Sequence, residues 1–271
     1  MTVKKQRVWL IGASAGIGLA LCQKYLAAGY CVIASSRQAS QASPLLSLKR
    51  TYSQSLQLLD FDVEEAIASA DYAQERCHAA WQFFEGLDIW FYNVGLYQPM
   101  RMDEWKFADF QQMNNANYLG AVVVMIALKK CMPRISITKS TSNVAMQWIW
   151  NLSLAADYGL PYGGGYSAPK AALMNLAESL QPELAQAGIQ LQVINHGFVK
   201  TRLTAKNDFA MPGLMEAEEA AEKIFASATK SHPRFETRFP FGLALFLGTL
   251  RKLPKSWALA LSRKMLRKPG E

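Results

Sequence analysis

A short apolar run, residues 7–12 (Arg-Val-Trp-Leu-Ile-Gly), leads straight into Gly12-Ala13-Ser14-Ala15-Gly16-Ile17-Gly18. An apolar helical pattern follows at Leu19, Leu21, Cys22, Tyr25 and Leu26. A buried strand, a glycine turn and a helix make half of a dinucleotide-binding unit. Glycine lets the backbone come close to a pyrophosphate, and the helix N-terminus turns free N–H groups toward the anion. The spacing is GxxxGxG, not the GxGxxG of two-domain dehydrogenases. Taken alone, the segment also fits a plain strand-to-helix turn.

The rest of the chain repeats the alternation. Strands are predicted at about 7–12, 31–35, 56–60, 88–92, 147–152, 190–195 and 234–239. Helices are predicted at about 16–28, 64–84, 112–131, 165–186 and 215–229. This order implies a parallel sheet covered on both faces. With 271 residues and no linker or repeat before residue 240, one core-bearing domain is expected over 1–240. The polar stretch Ser136–Asn143 reads as a surface loop.

Chemistry is signalled in Gly163-Gly164-Gly165-Tyr166-Ser167-Ala168-Pro169-Lys170. On a helix, Tyr166 and Lys170 share a face. A free tyrosine has a pKa of about 10, and a nearby positive charge favours the phenolate. Lys170 is therefore expected to lower the Tyr166 pKa, making the phenol a proton donor or acceptor for a carbonyl oxygen.

Together these motifs resemble the short-chain dehydrogenase/reductase family, from Arg7 to about Pro240. Gly12, Gly16 and Gly18, with Ser14 and Ile17 between them, fall on its cofactor loop. Asp62-Val63 resembles its adenine-contacting Asp-Val, and Asp88–Gly95 its strand ending in Asn-Asn-Ala-Gly, with Asn93 and Gly95 at the cofactor. Asn117-Tyr118-Leu119-Gly120 resembles the motif of the catalytic Asn. Asn151-Leu152-Ser153 resembles the strand end of the catalytic Ser, with Ser153 thirteen residues before Tyr166. Asn195–Thr201 resembles Asn-Pro-Gly-x-Val-x-Thr, which brings Val199 and Thr201 to the nicotinamide end. The resemblance implies a Rossmann-type doubly wound parallel β-sheet with helices on both faces. It implies a catalytic set of Asn117, Ser153, Tyr166 and Lys170, in which Tyr166 and Lys170 also hold the cofactor.

The chain departs from the family pattern at Ile11 (usually Thr), at Tyr92-Asn93-Val94-Gly95, and at His196-Gly197 (usually Pro-Gly). These changes bear on cofactor geometry and substrate shape and leave the four catalytic positions intact. At the end of the second strand stand Ser36 and Arg37, where an NAD enzyme usually places an acid. A guanidinium can grip a 2′-phosphate with two hydrogen bonds, which favours NADP over NAD. Ala15 occupies a position at which many NADP members carry Lys or Arg.

After Pro240 the chain becomes apolar and basic. Residues 241–271 hold seven Lys/Arg and one acid, Glu271, which is +6 of the chain's net +8. This helical tail is too short to span a bilayer. It suits peripheral contact with an anionic membrane, and it also suits packing over the substrate cleft or a subunit contact. No nucleic-acid reading motif accompanies the basic run. The histidines and the four cysteines (Cys22, Cys31, Cys77, Cys131) lack metal-ligand spacing, and reduced core cysteines are expected. Lys4, Lys5 and Arg7 precede a strand and not a cleavable apolar segment, so a cytoplasmic location is expected, peripheral at a membrane if the tail docks.

The chemistry expected is NADP(H)-dependent interconversion of a carbonyl and an alcohol by a homodimer or homotetramer. The substrate is expected to be apolar, lodged among Leu154, Tyr158, Leu160 and Tyr162 of loop 154–163 and Phe198, Leu203, Phe209, Met211 and Leu214 of segment 198–215. A catalytically silent, NADP-binding regulator on the same fold is the alternative. The full Asn-Ser-Tyr-Lys set favours the enzyme.

Overall fold

The computed structural model of the chain describes residues 5–132, 146–207 and 210–266. The predicted loop at Ser136–Asn143 lies outside these residues, as does Phe209. Among the described residues, seven parallel strands form one sheet: β1 (Arg7–Ile11), β2 (Cys31–Ser36), β3 (Leu56–Asp60), β4 (Ile89–Tyr92), β5 (Met146–Asn151), β6 (Ile189–His196) and β7 (Glu236–Phe239). Their order across the sheet is β3-β2-β1-β4-β5-β6-β7. All seven fall at the positions predicted for strands, the last on the mostly polar segment Glu236–Phe239.

Side-chain alternation explains why both faces are covered. Trp9, Ile11, Trp90, Tyr92, Trp148 and Trp150 point to one core, while Val8, Leu10, Phe91, Ile149 and Ile194 point to the other. The first core is closed by α4 (Ala70–Gln82), α6 (Gly120–Cys131) and α7 (Gly164–Gln186), and the second by α1 (Gly16–Ala27) and α8 (Ala217–Ala228). The buried indoles meet edge to face, with Trp90 and Trp148 centroids 5.3 Å apart.

The helices differ from the sequence reading at three places. The segment read as one helix over 64–84 is two, α3 (Val63–Ala68) and α4. Ser69 is the break: its side chain accepts from the Tyr72 N–H and caps α4. A helix not foreseen, α2 (Ser43–Thr51), starts with Pro44 in its first turn, where a missing N–H costs nothing. The helix expected from 112 begins earlier, as α5 (Phe107–Asn114), and runs through a π-helical turn at Asn115–Leu119 into α6.

Two tail helices, α9 (Phe241–Lys252) and α10 (Lys255–Arg263), follow β7. Ala244, Leu247, Leu250 and Ala258 join Leu154 in a third apolar cluster. Arg238 fastens this layer. It pairs with Asp157 in the loop after β5, reaches Glu236 Oε1 at 2.7 Å, and donates to the Ala244 carbonyl at 3.2 Å. No helix among the described residues is long and apolar enough to cross a membrane.

Candidate active site

Strand order reverses between β1 and β4, and open α/β sheets bind ligands at such a point, beyond the strand ends. A cavity of about 930 Å³ opens there. At one end it is lined by Gly12, Ser14, Gly16 and Ile17, with Ser36, Arg37, Asp62 and Val63 alongside. Asn93, Gly95, Val199 and Thr201 line its middle, and Ser153, Tyr166 and Lys170 its far part. These residues reach one cavity from seven separate segments of the chain.

Gly18 does not line the cavity. A Cβ on Gly18 would sit 1.9 Å from the Gly12 carbonyl oxygen and 2.7 Å from Asn93 Nδ2, so this glycine lets the turn fold onto α1. Gly12 has φ +90°, a conformation that side-chain-bearing residues rarely adopt. The turn is then tied into the catalytic region by a chain of hydrogen bonds. Asn93 Nδ2 donates to the Gly12 carbonyl at 2.9 Å, Asn151 Nδ2 donates to Asn93 Oδ1 at 2.7 Å, and Lys170 Nζ donates to the Asn151 carbonyl at 2.8 Å. Asn151 was read only as part of the serine motif. The structure makes it the link between cofactor turn and lysine.

At the β2 end, Arg37 is exposed along the cavity wall. The nearest acid in sequence terms is Asp60, whose strand position pairs with Ser36. Its carboxylate is committed elsewhere, accepting from the Ser40 N–H at 2.8 Å and from the Ser40 hydroxyl at 2.6 Å. That contact fixes the turn after Arg37. Asp62 Oδ1 accepts from the Glu64 N–H at 2.8 Å and caps α3, which holds the start of that helix at the cavity.

Tyr166 and Lys170 share a face of α7, with Nζ 5.9 Å from the phenol ring centroid. The expected lowering of the Tyr166 pKa is not what the free site shows. Burial of the phenol pushes it up to about 12; the hydrogen bond with Ser153 pulls the other way, and Tyr97 adds to the rise. Lys170 shifts as well: burial brings its ammonium down to about 7. Tyr97, two residues beyond Gly95, meets Tyr166 edge to face at 5.4 Å. Sequence reasoning missed it.

Asn117 lies on the π-helical turn and is fully buried. Its Nδ2 donates to the carbonyls of Leu96 at 2.7 Å and Met113 at 2.8 Å, and its Oδ1 accepts from the Leu96 N–H at 3.3 Å. Its side chain braces the loop after β4 and does not face the cavity. His196 does line the cavity, stacked on Phe239. Burial takes its pKa down to about 4.

Of the apolar side chains predicted for the substrate region, Leu154, Leu160, Phe198 and Leu203 line the cavity. Tyr158 packs instead on the tail cluster, Tyr162 sits beneath the Arg101 guanidinium at 5.5 Å, and Leu214 is exposed. Met211 lies off the wall, where its sulfur accepts from Asn207 Nδ2. Leu243 and Leu247 of α9 complete the wall. The helix α9 therefore forms part of the cavity wall.

The buried Lys170 and the half-buried His196 set a pH dependence. Both have pKa values depressed in the fold, to about 7 and about 4, so the unfolded chain binds more protons than the folded one over the intervening range. Stability of the ligand-free protein should rise with pH, from about 4 to about 6.5 through His196 and above about 7 through Lys170. Replacing Lys170 by Met should raise ligand-free stability at neutral pH by about 1 to 2 kcal/mol and flatten the alkaline part of the curve. Urea titrations across pH check this; a Lys170→Met protein with the wild-type slope would contradict it.

A glycine turn at a sheet's switch point, with Ser153, Tyr166 and Lys170 lining the same cavity, marks a Rossmann-like α/β protein. The short chain dehydrogenase family model matches residues 6–211, and the chain belongs to that family of oxidoreductases. It is 30% identical over 254 residues to an uncharacterized oxidoreductase of Myxococcus xanthus (strain DK1622), covering 94% of this chain and 95% of that one. It is 27% identical over 205 residues to the 3-oxoacyl-(acyl-carrier-protein) reductase MabA of Mycobacterium bovis, covering 74% and 72%. Among solved structures, a short chain dehydrogenase from Burkholderia cenocepacia J2315 in complex with NADP superposes with a TM-score of 0.76 at 19% identity, covering 99% of this chain and 100% of that one.

Proposed function

We propose that the protein is an NADP(H)-dependent oxidoreductase that interconverts a carbonyl and an alcohol, with Tyr166 as general acid/base. The observation that carries this reading is the convergence of Ser153, Tyr166 and Lys170 on the cavity that the glycine turn opens into. The turn, Ser14 and the N-terminus of α1 suit a pyrophosphate. Arg37, with the neighbouring acid Asp60 engaged by Ser40, suits a 2′-phosphate. The Burkholderia structure is described with NADP, which agrees with this choice.

The bound cofactor supplies the hydride in reduction and accepts it in oxidation. Ser153 donates a hydrogen bond to the carbonyl oxygen and stabilises the charge that develops there. A phenol held near pKa 12 is protonated at neutral pH, so Tyr166 starts reduction as a proton donor. Lys170 holds the cofactor beside Tyr166 and offsets charge on the phenolate left behind. Asn117 acts through the loop after β4, which its side chain holds against the site by its bonds to Leu96 and Met113.

Leu154, Leu160, Leu203, Leu243 and Leu247 make the substrate part of the cavity apolar. A carbonyl compound with a long aliphatic or sterol-like body fits this lining. A relative named for 3-oxoacyl reduction is consistent with that class. The reading extends to a homodimer or homotetramer, and exposed Trp105, Phe107 and Phe110 offer apolar surface for such contacts.

NADPH oxidation against ketones of graded chain length tests the reading. Turnover should rise with chain length, and a preference for small polar sugars or hydroxy acids would contradict it. Arg37→Ala should weaken NADPH binding by about tenfold or more, because a charge-assisted contact is worth about 1.5–3 kcal/mol, and leave NADH unchanged. Equal losses for both cofactors, measured by fluorescence titration, would remove Arg37 from the 2′-phosphate.

A further inference from the structure

The second tail helix, α10, is built inside out relative to a water-facing layer. In α10 the side chains turned toward the protein are small: Ala258 is fully buried and Ser262 is 8% exposed. The large apolar ones point away, with Trp257 65% and Leu259 55% exposed. The first turn of α9 does the same with Phe241, which is 81% exposed. Eight of the sixteen large apolar side chains exposed among the described residues fall within residues 241–266. Scattered exposed apolar residues need no explanation, but such a concentration marks a surface that meets something apolar.

Charge selects what that is. Residues 241–266 contain five basic side chains, all exposed, and no acid. Two copies meeting through this surface would bring ten positive charges together. An anionic lipid surface instead satisfies both features, accepting the apolar side chains and attracting the cations. Helices of twelve and nine residues lie in such an interface and do not span it.

The same layer is a wall of the cavity. Leu243 and Leu247 of α9 line the cavity, while Leu245 and Phe246 between them are exposed on the outside, so the wall there is one helix thick. Pro161, on the cavity rim, also borders a small depression formed with Leu259 and Leu266 of the α10 segment. We propose that α9 and α10 dock the protein on anionic membranes and that the cavity takes a carbonyl lipid from the bilayer across this face. Delivery, though not docking, rests on the carbonyl-reductase reading above.

Sedimentation with vesicles of phosphatidylcholine alone, and with a third phosphatidylglycerol, tests docking. Partition should be at least tenfold stronger on the anionic vesicles and should weaken as salt rises. Trp257→Asp combined with Leu261→Asp should reduce it at least tenfold, with circular dichroism and NADPH binding unchanged. No vesicle binding, or equal binding by the variant, overturns docking. If the wild type ignores vesicles and the variant converts a dimer to a monomer in sedimentation velocity, the surface belongs to a second copy. Delivery is read from two ketones, a short soluble one and a long-chain methyl ketone held in the vesicles. The variant should keep turnover of the first and lose that of the second at least tenfold. Equal loss on both overturns delivery. If the wild type reduces neither, the carbonyl-reductase reading and delivery fall together, and the vesicle result still decides docking.

Discussion

Replacing Tyr166 by Phe should cut turnover by about a thousandfold, within the range of a lost general acid, while NADPH binds nearly as before. The change removes one oxygen. It keeps the ring, and with it the edge-to-face contact with Tyr97 at 5.4 Å. Lys170 still reaches the Asn151 carbonyl, because that bond does not involve the phenol. The cofactor turn is tied to Lys170 through Asn93 and Asn151, and neither depends on the lost hydroxyl. Loss of turnover without loss of binding therefore isolates proton transfer. Stopped-flow turnover beside fluorescence titration separates the two. Near-normal turnover would remove Tyr166 from the chemistry, and loss of NADPH binding in proportion would make it a binding residue.

Gly18→Ala should be the most damaging single-methyl change in the cofactor turn. Alanine normally favours a helix over glycine by about 1 kcal/mol. Here the added carbon would lie 1.9 Å from a backbone oxygen, so the Gly12 segment has to move. Overpacking of this kind costs about 1–3 kcal/mol, and backbone gives less readily than a side chain. The same shift breaks the Asn93 contact with the Gly12 carbonyl and so reaches Lys170. Stability should fall by about 2 kcal/mol, and NADPH affinity by tenfold or more. Gly242→Ala is the control, because a Cβ there meets nothing within 4 Å. Equal behaviour of the two variants in thermal unfolding and NADPH titration would contradict the packing argument.

What the sequence disclosed and what it hid divide along a physical line. The central strands were legible because both faces of the sheet are covered there, which turns segments such as Ile89–Tyr92 into apolar runs. The cavity residues were legible because each sits at a strand end or helix start, where local chemistry is restrictive. Ser69 could have been found, since a serine before Ala-Asp-Tyr is an N-cap signal. The direction of the Tyr166 shift could not, because four-residue spacing places a lysine near a tyrosine but says nothing of how far water is excluded from both. The Arg238–Asp157 pair was hidden for another reason: its partners are 81 positions apart. In the tail, apolar residues occur all round α9, and only packing shows that Leu247 faces the cavity while Phe246 faces out.

The central claim is hydride transfer between NADPH and an apolar carbonyl at the Tyr166 site. Its most direct measurement uses NADPH deuterated at the nicotinamide C4 and a long-chain ketone, with the product read by mass spectrometry and NMR. Wild-type protein should yield the alcohol with deuterium on the carbinol carbon in one configuration, and Tyr166→Phe, with NADPH bound, should yield almost none. Alcohol without deuterium, equal yield from both proteins, or no alcohol from any ketone although NADPH binds would contradict it.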